Sequence, residues 1–314
     1  MFASKKAKAL LATFGPFIGL IAIVVIISIL NPSFLSLPNL LNVLRQVSIN
    51  ALIAFGMTFV ILTGGIDLSV GAILALSGAV TATLLSAGVD PVLAILVGLL
   101  VGAILGAING FIIAKGKVAP FIATLATMTI YRGATLMFTD GRPVSGLGDS
   151  TLFEMIGGGY FFGVPMPAIT MMVSFAILYF ILKKTTFGRR VYAVGGNEEA
   201  SILSGIKVDR IKIYVYSLTG FLAAVAGIIL TSRLNSAQPT AGTMYELDAI
   251  AAVVLGGTSL TGGRGWIVGT LIGALIIGVL NNGLNLLGVS SFFQQVVKGS
   301  VILLAVLIDR RKTA

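Results

Sequence analysis

Ten long apolar stretches separated by short polar segments constrain the fold of this 314-residue chain more than any other feature. About 20 consecutive apolar residues can cross the hydrocarbon core of a bilayer as a helix. The stretches lie near residues 14–30, 47–63, 70–87, 91–114, 118–138, 164–182, 214–231, 247–261, 266–284 and 292–308. We therefore predict an all-α, polytopic membrane protein with about ten transmembrane helices, forming a single membrane domain over residues 1–314.

The composition supports a lipid environment and excludes several classes of function. Only 10% of the residues are charged, against about 25% in soluble domains. The chain has neither cysteine nor histidine, which excludes disulfides, thiol nucleophiles and histidine relays. We find no spacing typical of a metal or catalytic site and predict neither.

The distribution of basic residues predicts the orientation. If the N-terminus is cytoplasmic and ten helices span the membrane, 16 of the 21 Lys and Arg residues fall in cytoplasmic segments, as the positive-inside rule requires. The C-terminus and a loop at residues 183–213 are then cytoplasmic, and a loop at residues 139–163 is external. The same rule accounts for the net charge of +10 without a nucleic-acid partner. We predict a multi-pass membrane protein, in contact with lipid, with both termini on the cytoplasmic side.

The first apolar stretch could alternatively be a signal peptide, because three lysines precede it. It is longer than a usual signal-peptide core, however, and no A-x-A cleavage site follows it. These features favour a helix that is retained in the protein.

Glycine recurs every fourth residue in the fourth stretch, at Gly98, Gly102, Gly106 and Gly110. This spacing places all four on one helix face, where the missing side chains let another helix approach closely. Helix packing is the favoured interpretation, and a face that lines a pore is the alternative.

Two T-G-G segments interrupt the apolar sequence at corresponding places, with Gly64 and Gly65 in the first and Gly262 and Gly263 in the second. Asp67 follows the first pair and could either cap the next helix or lie on a translocation path. Breaks at matching positions of two repeats are a feature of transporter paths. The few identities also fit a chance coincidence of glycine-rich helices.

The predicted cytoplasmic loop contains one short surface helix. After a turn at residues 195–196, Asn197 can serve as its N-cap, with Glu198 and Glu199 in the first turn near the positive end of the helix dipole. Gly205 then ends the helix. A plain connector between membrane helices is the alternative interpretation.

Four motifs resemble those of the bacterial ribose permeases, a sugar permease family of type II ABC importers. They are G-I-D-L-S-V-G at 65–71, P-F-I-A-T-L at 120–125, G-R-R-V-Y-A-V-G-G-N-E-E-A at 188–200 and S-A-Q-P-T-A-G-T-M-Y-E-L-D-A-I-A-A-V-V-L-G-G-T-S-L at 236–260. The resemblance extends over nearly the whole chain. Galactose, xylose and arabinose permeases share several of these motifs.

The resemblance implies the permease fold of a type II ABC importer and a dimer of permease subunits. It implies import of ribose or a related monosaccharide, with an ABC ATPase inside and a sugar-binding protein outside, in the periplasm or extracellular space. It also implies that the short helix couples the permease to the ATPase. The coupling residues would be Arg189, Arg190, Asn197, Glu198, Glu199, Ala200, Ser204 and Gly205.

The chain carries no nucleotide-binding motif of its own. The nearest fragment to G-x4-G-K-[ST] is Lys115-Gly116-Lys117-Val118, which has no Ser or Thr after the lysine. We therefore expect no cofactor on this chain, with ATP and Mg bound by the partner ATPase. An ion-coupled secondary sugar transporter is the alternative, although the few ionisable residues in the apolar stretches lie near their ends.

Overall fold

The computed structural model describes residues 2–313, with side-chain environments for residues 15–301 and residue 303. Over these residues the chain forms thirteen α-helices, a short 3₁₀ helix at Pro32–Leu35 and one antiparallel hairpin of β1 (Tyr160–Phe161) and β2 (Val164–Pro165). The helices are α1 (Phe2–Leu30), α2 (Leu37–Leu62), α3 (Val70–Ser86), α4 (Pro91–Gly116), α5 (Pro120–Phe138), α6 (Thr151–Gly158), α7 (Met166–Lys184), α8 (Thr186–Gly196), α9 (Glu198–Leu203), α10 (Val208–Leu234), α11 (Tyr245–Leu255), α12 (Ile267–Leu286) and α13 (Ser291–Thr313).

Each of the ten predicted apolar stretches overlaps one of these helices, so the predicted all-α membrane fold is confirmed. Among the residues whose environments are described, six helices are long and apolar enough to cross a membrane, namely α2, α4, α5, α7, α10 and α12. Residues 15–30 of α1 and the whole of α3 form shorter apolar helices.

The predicted start of the second span was wrong, because α2 begins at Leu37 rather than near residue 47. Proline in the first helical turn is compatible with this start. The side chains of Asn39 and Asn282 exchange hydrogen bonds of 3.0 Å between α2 and α12. Asn39 lowers the hydropathy of the first turn of α2, but its side chain is paired inside the protein.

The eighth predicted span was also wrong in length, because α11 contains only 11 residues. At 1.5 Å per residue it rises about 17 Å, roughly half of a 30 Å hydrocarbon core. It ends at the pair Gly256 and Gly257, the second of which has a φ of 86°. A non-helical segment then leads to α12.

The loop at residues 183–213 contains two helices, α8 and α9, where one was predicted. Residues 195–196 are the last residues of α8 rather than a turn. The loop at residues 139–163 also has structure of its own, since it contains α6 and β1.

Helix α4 has two faces of opposite character. Its four spaced glycines are buried, and added Cβ atoms there would collide with α3 or α10; a Cβ at Gly102, for example, would lie 2.5 Å from the Ala224 Cβ atom. The opposite face exposes large apolar side chains, including Leu96, Leu100 and Phe111. One face therefore packs on protein, and the other is suited to lipid.

Helices α2 and α10 form the centre of the bundle. The most apolar windows of these two helices are 78% and 67% buried, the largest fractions among the six long apolar helices. The C-terminal end of α2 lies beside α8, and the N-terminal end of α10 lies beside both α8 and α9. This arrangement brings the buried centre of the protein to the surface helices of the loop.

Candidate coupling site

Helix α8 is an amphipathic helix held against the bundle. The Thr185 side chain caps it by accepting a hydrogen bond of 3.3 Å from the Gly188 amide. Val191 and Val194 are buried in the same hydrophobic core as α2. Arg189 and Arg190 are exposed on the other side. The helix is therefore seated on the bundle and presents basic side chains outward.

Helix α9 has well-defined ends. Asn197 caps it, and its Oδ1 atom accepts a hydrogen bond of 2.8 Å from the Ala200 amide. Gly205 follows the helix with a φ of 79°, and its amide donates to the Ile202 carbonyl at 2.9 Å. The Ile206 amide donates to the Ser201 carbonyl at 3.0 Å. These two bonds form a Schellman motif, which explains why glycine stands at position 205.

An ion pair ties α9 to the first turn of a central helix. The Lys212 Nζ atom on α10 lies 2.8 Å from both carboxylate oxygens of Glu198. Glu199, Ala200 and Ser204 are exposed. Helix α9 is therefore joined to α10 by a direct contact between side chains.

The outward surface of α9 is unusually apolar for a short surface helix. Leu203 is 89% exposed and Ile202 is 54% exposed, and Ala200 on the same short helix is exposed as well. Sequence interpretation missed Ile202 and Leu203, although two large apolar residues inside a polar, capped segment were a usable signal. Exposed apolar residues rimmed by polar ones are typical of docking surfaces.

The two T-G-G segments and the end of α8 meet in one place, which we call the glycine junction (Gly64, Gly195, Gly196, Gly262 and Gly263). The Gly263 amide donates a hydrogen bond of 3.0 Å to the carbonyl of Leu62, the last residue of α2. A Cβ atom on Gly262 would lie 2.9 Å from the Gly195 oxygen and 3.0 Å from the Gly64 nitrogen. A Cβ atom on Gly263 would lie 2.8 Å from the Gly196 Cα atom.

Backbone therefore packs directly on backbone at this junction, and only glycine permits such a close approach. The Tyr192 hydroxyl on α8 adds a hydrogen bond of 2.8 Å to the Gly265 carbonyl. The junction thus connects the end of α8 to the end of α2 and to the segment before α12. The sequence suggested that the two T-G-G segments correspond, but it gave no sign that residues 195 and 196 lie between them.

Asp67 lies near the junction, in the turn between α2 and α3, and is completely buried. Its Oδ1 atom accepts hydrogen bonds from the Ser69 amide at 2.9 Å and the Ser69 hydroxyl at 2.6 Å. Asn109 on α4 donates to the Ser69 hydroxyl at 2.7 Å, and Tyr131 on α5 donates to Asn109 at 3.1 Å. The carboxylate thus begins a hydrogen-bonded chain that joins α3, α4 and α5.

The geometry corrects the proposed capping role of Asp67. The N-cap of α3 is Ser69, so Asp67 bonds to the cap residue itself instead of to the first helical amides. Gly65 passes close to Tyr216 of α10, where an added Cβ atom would collide with the hydroxyl. Within the described residues, no group of three or more acidic, cysteine or histidine side chains could hold a metal ion.

Comparison with known proteins identifies the family. A family model described as the permease component of a branched-chain amino acid transport system matches residues 39–306. The ribose import permease protein of Bacillus subtilis is 72% identical over 300 residues, which cover 96% of this chain and 93% of the relative. The ribose import permease protein of Escherichia coli is 56% identical over 307 residues, covering 97% and 96% of the two chains.

The chain belongs to the ABC importer permease family. A further relative, the D-allose transport system permease protein of Escherichia coli, is 45% identical over 299 residues, covering 95% of this permease and 91% of the relative. No solved structure gives a significant match to the permease. The range matched by the family model contains α8, α9 and the glycine junction, so both parts of the site lie within it.

Proposed function

We propose that this permease is the membrane subunit of an ATP-driven importer that moves ribose, or a closely related monosaccharide, into the bacterial cell. The observation that carries the proposal is the anchored apolar surface of α9, which gives a separate protein a place to act on the bundle. The choice of ribose is supported by relatives of that name at 72% and 56% identity, against 45% for the D-allose relative.

The proposed partner at α9 is an ABC ATPase, which binds ATP and Mg on its own chain, so that the permease itself is not an enzyme. Leu203, Ile202 and Ala200 would enter an apolar groove of that subunit, with Arg189 and Arg190 at its rim. Apolar anchors surrounded by charged residues are the usual composition of a specific interface.

The proposed orientation places α8, α9 and both termini in the cytoplasm. It is supported by the 16 basic residues in segments assigned to that side. A sugar-binding protein would then deliver the sugar on the outer side, over α6 and the β1–β2 hairpin. Two copies of the permease, surrounded by lipid, would form a dimer, and the sugar would cross the membrane along a path between them.

Coupling would proceed through the contacts already described. Closure of the ATPases would move α8 and α9 as one unit. The Lys212–Glu198 pair would pass this movement to α10, and the glycine junction would pass it to α2 and to the segment before α12. The helices would then change direction at two breaks, formed by Gly64 and Gly65 and by Gly262 and Gly263. The hydrogen bonds of Asp67 to Ser69 would stabilise the first break.

The test is uptake of labelled ribose, D-allose and L-arabinose by vesicles that contain the purified permease and its ATPase, with the binding protein added outside. ATP enclosed with the ATPase should drive ribose accumulation, and dissipating ion gradients with ionophores should not reduce it. Accumulation that needs an ion gradient but no ATP would establish a secondary transporter and refute the proposal.

A matched pair of variants tests the docking surface. Leu203→Arg should abolish both ribose uptake and co-purification of the ATPase, because it places a charge at the centre of the apolar contact. Lys207→Gln changes an exposed residue just beyond Gly205 and should preserve both. Unchanged uptake and co-purification in Leu203→Arg would show that α9 does not bind the ATPase.

A further inference from the structure

A partly open polar cavity of about 340 Å³ lies between α2, α10, α11, α12 and α13. Its volume is at the small end of the roughly 300–1,000 Å³ range of ligand pockets. Most of its lining side chains are amides or charged groups, which is unusual for the interior of a membrane domain. The cavity has no part in the coupling site.

Three helices each present two polar side chains, one helical turn apart, to this cavity. The pairs are Gln46 and Asn50 on α2, Asn281 and Asn285 on α12, and Gln294 and Lys298 on α13. Residues four apart lie on the same face of a helix. Three polar helix faces therefore converge on one space. Such faces avoid lipid, because burying unpaired polar groups in hydrocarbon is costly.

Helix packing accounts for some of these amides but not for Asn281. The Gln294 Nε2 atom donates a hydrogen bond of 2.8 Å to the Asn285 Oδ1 atom, which joins α13 to α12. The Oδ1 atom of Asn281 is buried and has no hydrogen-bond partner among the described residues. The neighbouring Asn282 points elsewhere and is paired with Asn39. A buried amide without a partner is rare in proteins unless water or a ligand satisfies it. Asn281 is therefore free to bond to a molecule in the cavity.

The charges around the cavity largely compensate one another. The Lys298 Nζ atom lies 3.1 Å from the Asp248 Oδ2 atom, and Arg233 adds one cationic donor. Amide side chains offer both donors and acceptors without a charge of their own. This combination suits a small neutral molecule with several hydroxyl groups, which also donate and accept hydrogen bonds.

The cavity lies at the end of the bundle remote from α9. Arg233 is 25 residues beyond the start of α10, which begins directly after the coupling loop. This separation corresponds to about 37 Å along the helix axis. In the proposed orientation, the cavity is in the outer half of the membrane, where a sugar enters.

We propose that this cavity is a binding site for a single neutral monosaccharide, which it receives before the sugar crosses the inner half of the permease. Asn281 is the central hydrogen-bonding residue. The amide lining is completed by Gln46, Asn50, Asn285 and Gln294. The assignment of the ligand rests on the proposed function as a sugar importer. It adds that the permease itself recognises the sugar.

Cysteine protection tests the site, since the native chain contains no cysteine. Asn285→Cys places a thiol in the cavity lining, and Ser290→Cys places one in the loop after α12, outside the lining; both positions are exposed. Both full-length variants are reconstituted with the ATPase but without the binding protein, and are treated with a small thiol reagent. At ribose concentrations several times the dissociation constant, labelling of residue 285 should slow at least about fivefold by mass action, while labelling of residue 290 should not change.

Two ligand controls define the chemistry. Mannitol at equal osmolarity should protect residue 285 much less than ribose, because a linear polyol does not have the shape of a sugar ring. Protection by inorganic phosphate, without protection by ribose, would overturn the proposal in favour of an anion site around Arg233.

A second pair of variants connects the cavity to transport. Asn281→Ala should lower ribose uptake by about tenfold, as expected for the loss of a buried hydrogen bond to the ligand. Asn282→Ala removes the same group from the adjacent residue and should leave uptake per molecule unchanged.

Failures of the two proposals are distinguishable. Normal ribose import by the wild type, with no ribose protection at residue 285 and full uptake by Asn281→Ala, would refute the cavity site alone. Absence of ATP-driven ribose import in the wild type would refute the proposed function instead.

Discussion

Adding one methyl group at Gly195 of the glycine junction should separate ATP hydrolysis from sugar transport. In Gly195→Ala the new Cβ atom would overlap the Leu62 carbonyl oxygen and lie 2.7 Å from the Gly263 nitrogen. Ordinary contact begins at 3.4 Å, so the end of α8 must move by at least 0.7 Å, the difference between these two distances. The neighbouring atoms belong to the backbone and cannot rotate away.

The energetic consequence follows from this collision. Overpacking a dense interior costs about 1–3 kcal/mol, and each 1.4 kcal/mol changes a population by roughly tenfold. The conformation in which α8 packs against the end of α2 should therefore become about 5- to 150-fold less populated, relative to one in which α8 is displaced. Ribose accumulation should fall within that range, while the ATPase, whose own chain is unchanged, continues to hydrolyse ATP.

Gly196→Ala is the matched control, because a Cβ atom on Gly196 meets no atom within 4 Å. The assay measures ribose uptake and ATP hydrolysis in the same vesicles, at equal amounts of permease and with thermal unfolding recorded for each variant. If Gly195→Ala transports as many sugars per ATP as Gly196→Ala, the junction does not transmit movement and the reasoning fails.

Three further predictions concern other parts of the bundle. Asp67→Asn keeps the acceptor oxygen and should preserve expression and uptake. Asp67→Leu leaves the Ser69 backbone amide without an acceptor and should lower the stability of the protein by about 1–3 kcal/mol, measured by thermal unfolding. Equal stability of the two variants would show that Asp67 does not hold the turn between α2 and α3. Gly106→Ala should destabilise the protein because its Cβ would collide with α10, while Gly133→Ala, which faces open space, should not; the same melting assay compares them. An impermeant thiol reagent added outside cells should label Phe162→Cys but not Lys207→Cys, and the reverse pattern would overturn the orientation.

Much of the fold could be predicted because lipid imposes simple rules on sequence. Long apolar stretches gave the positions of the membrane helices, and the caps Asn197 and Gly205 gave the limits of α9 within a residue. These features are local, since each depends on a few neighbours along the chain. The early start of α2 could not be read this way, because its polar first turns depend on Asn282, which is 243 residues from Asn39.

The site was predictable only in part, for the same physical reason. The sequence marked α9 and both T-G-G segments as unusual, but their meeting with the end of α8 is a tertiary contact. The cavity is a similar case. Gln46, Asn281 and Lys298 are unremarkable as separate polar residues, and their significance appears only when three helices bring them to one space.

The glycine junction is built almost entirely from main-chain atoms, and this has a mechanical consequence. A contact between side chains can absorb a displacement by changing rotamers, but peptide groups are planar and stiff. We therefore expect a displacement of α8 to reach α2 with little loss at the point of contact. Such a joint depends on the lack of side chains rather than on any particular chemistry. The joint therefore tolerates a Cβ atom at Gly196, which meets no atom within 4 Å, but not at Gly195, Gly262 or Gly263, where backbone atoms lie in the way.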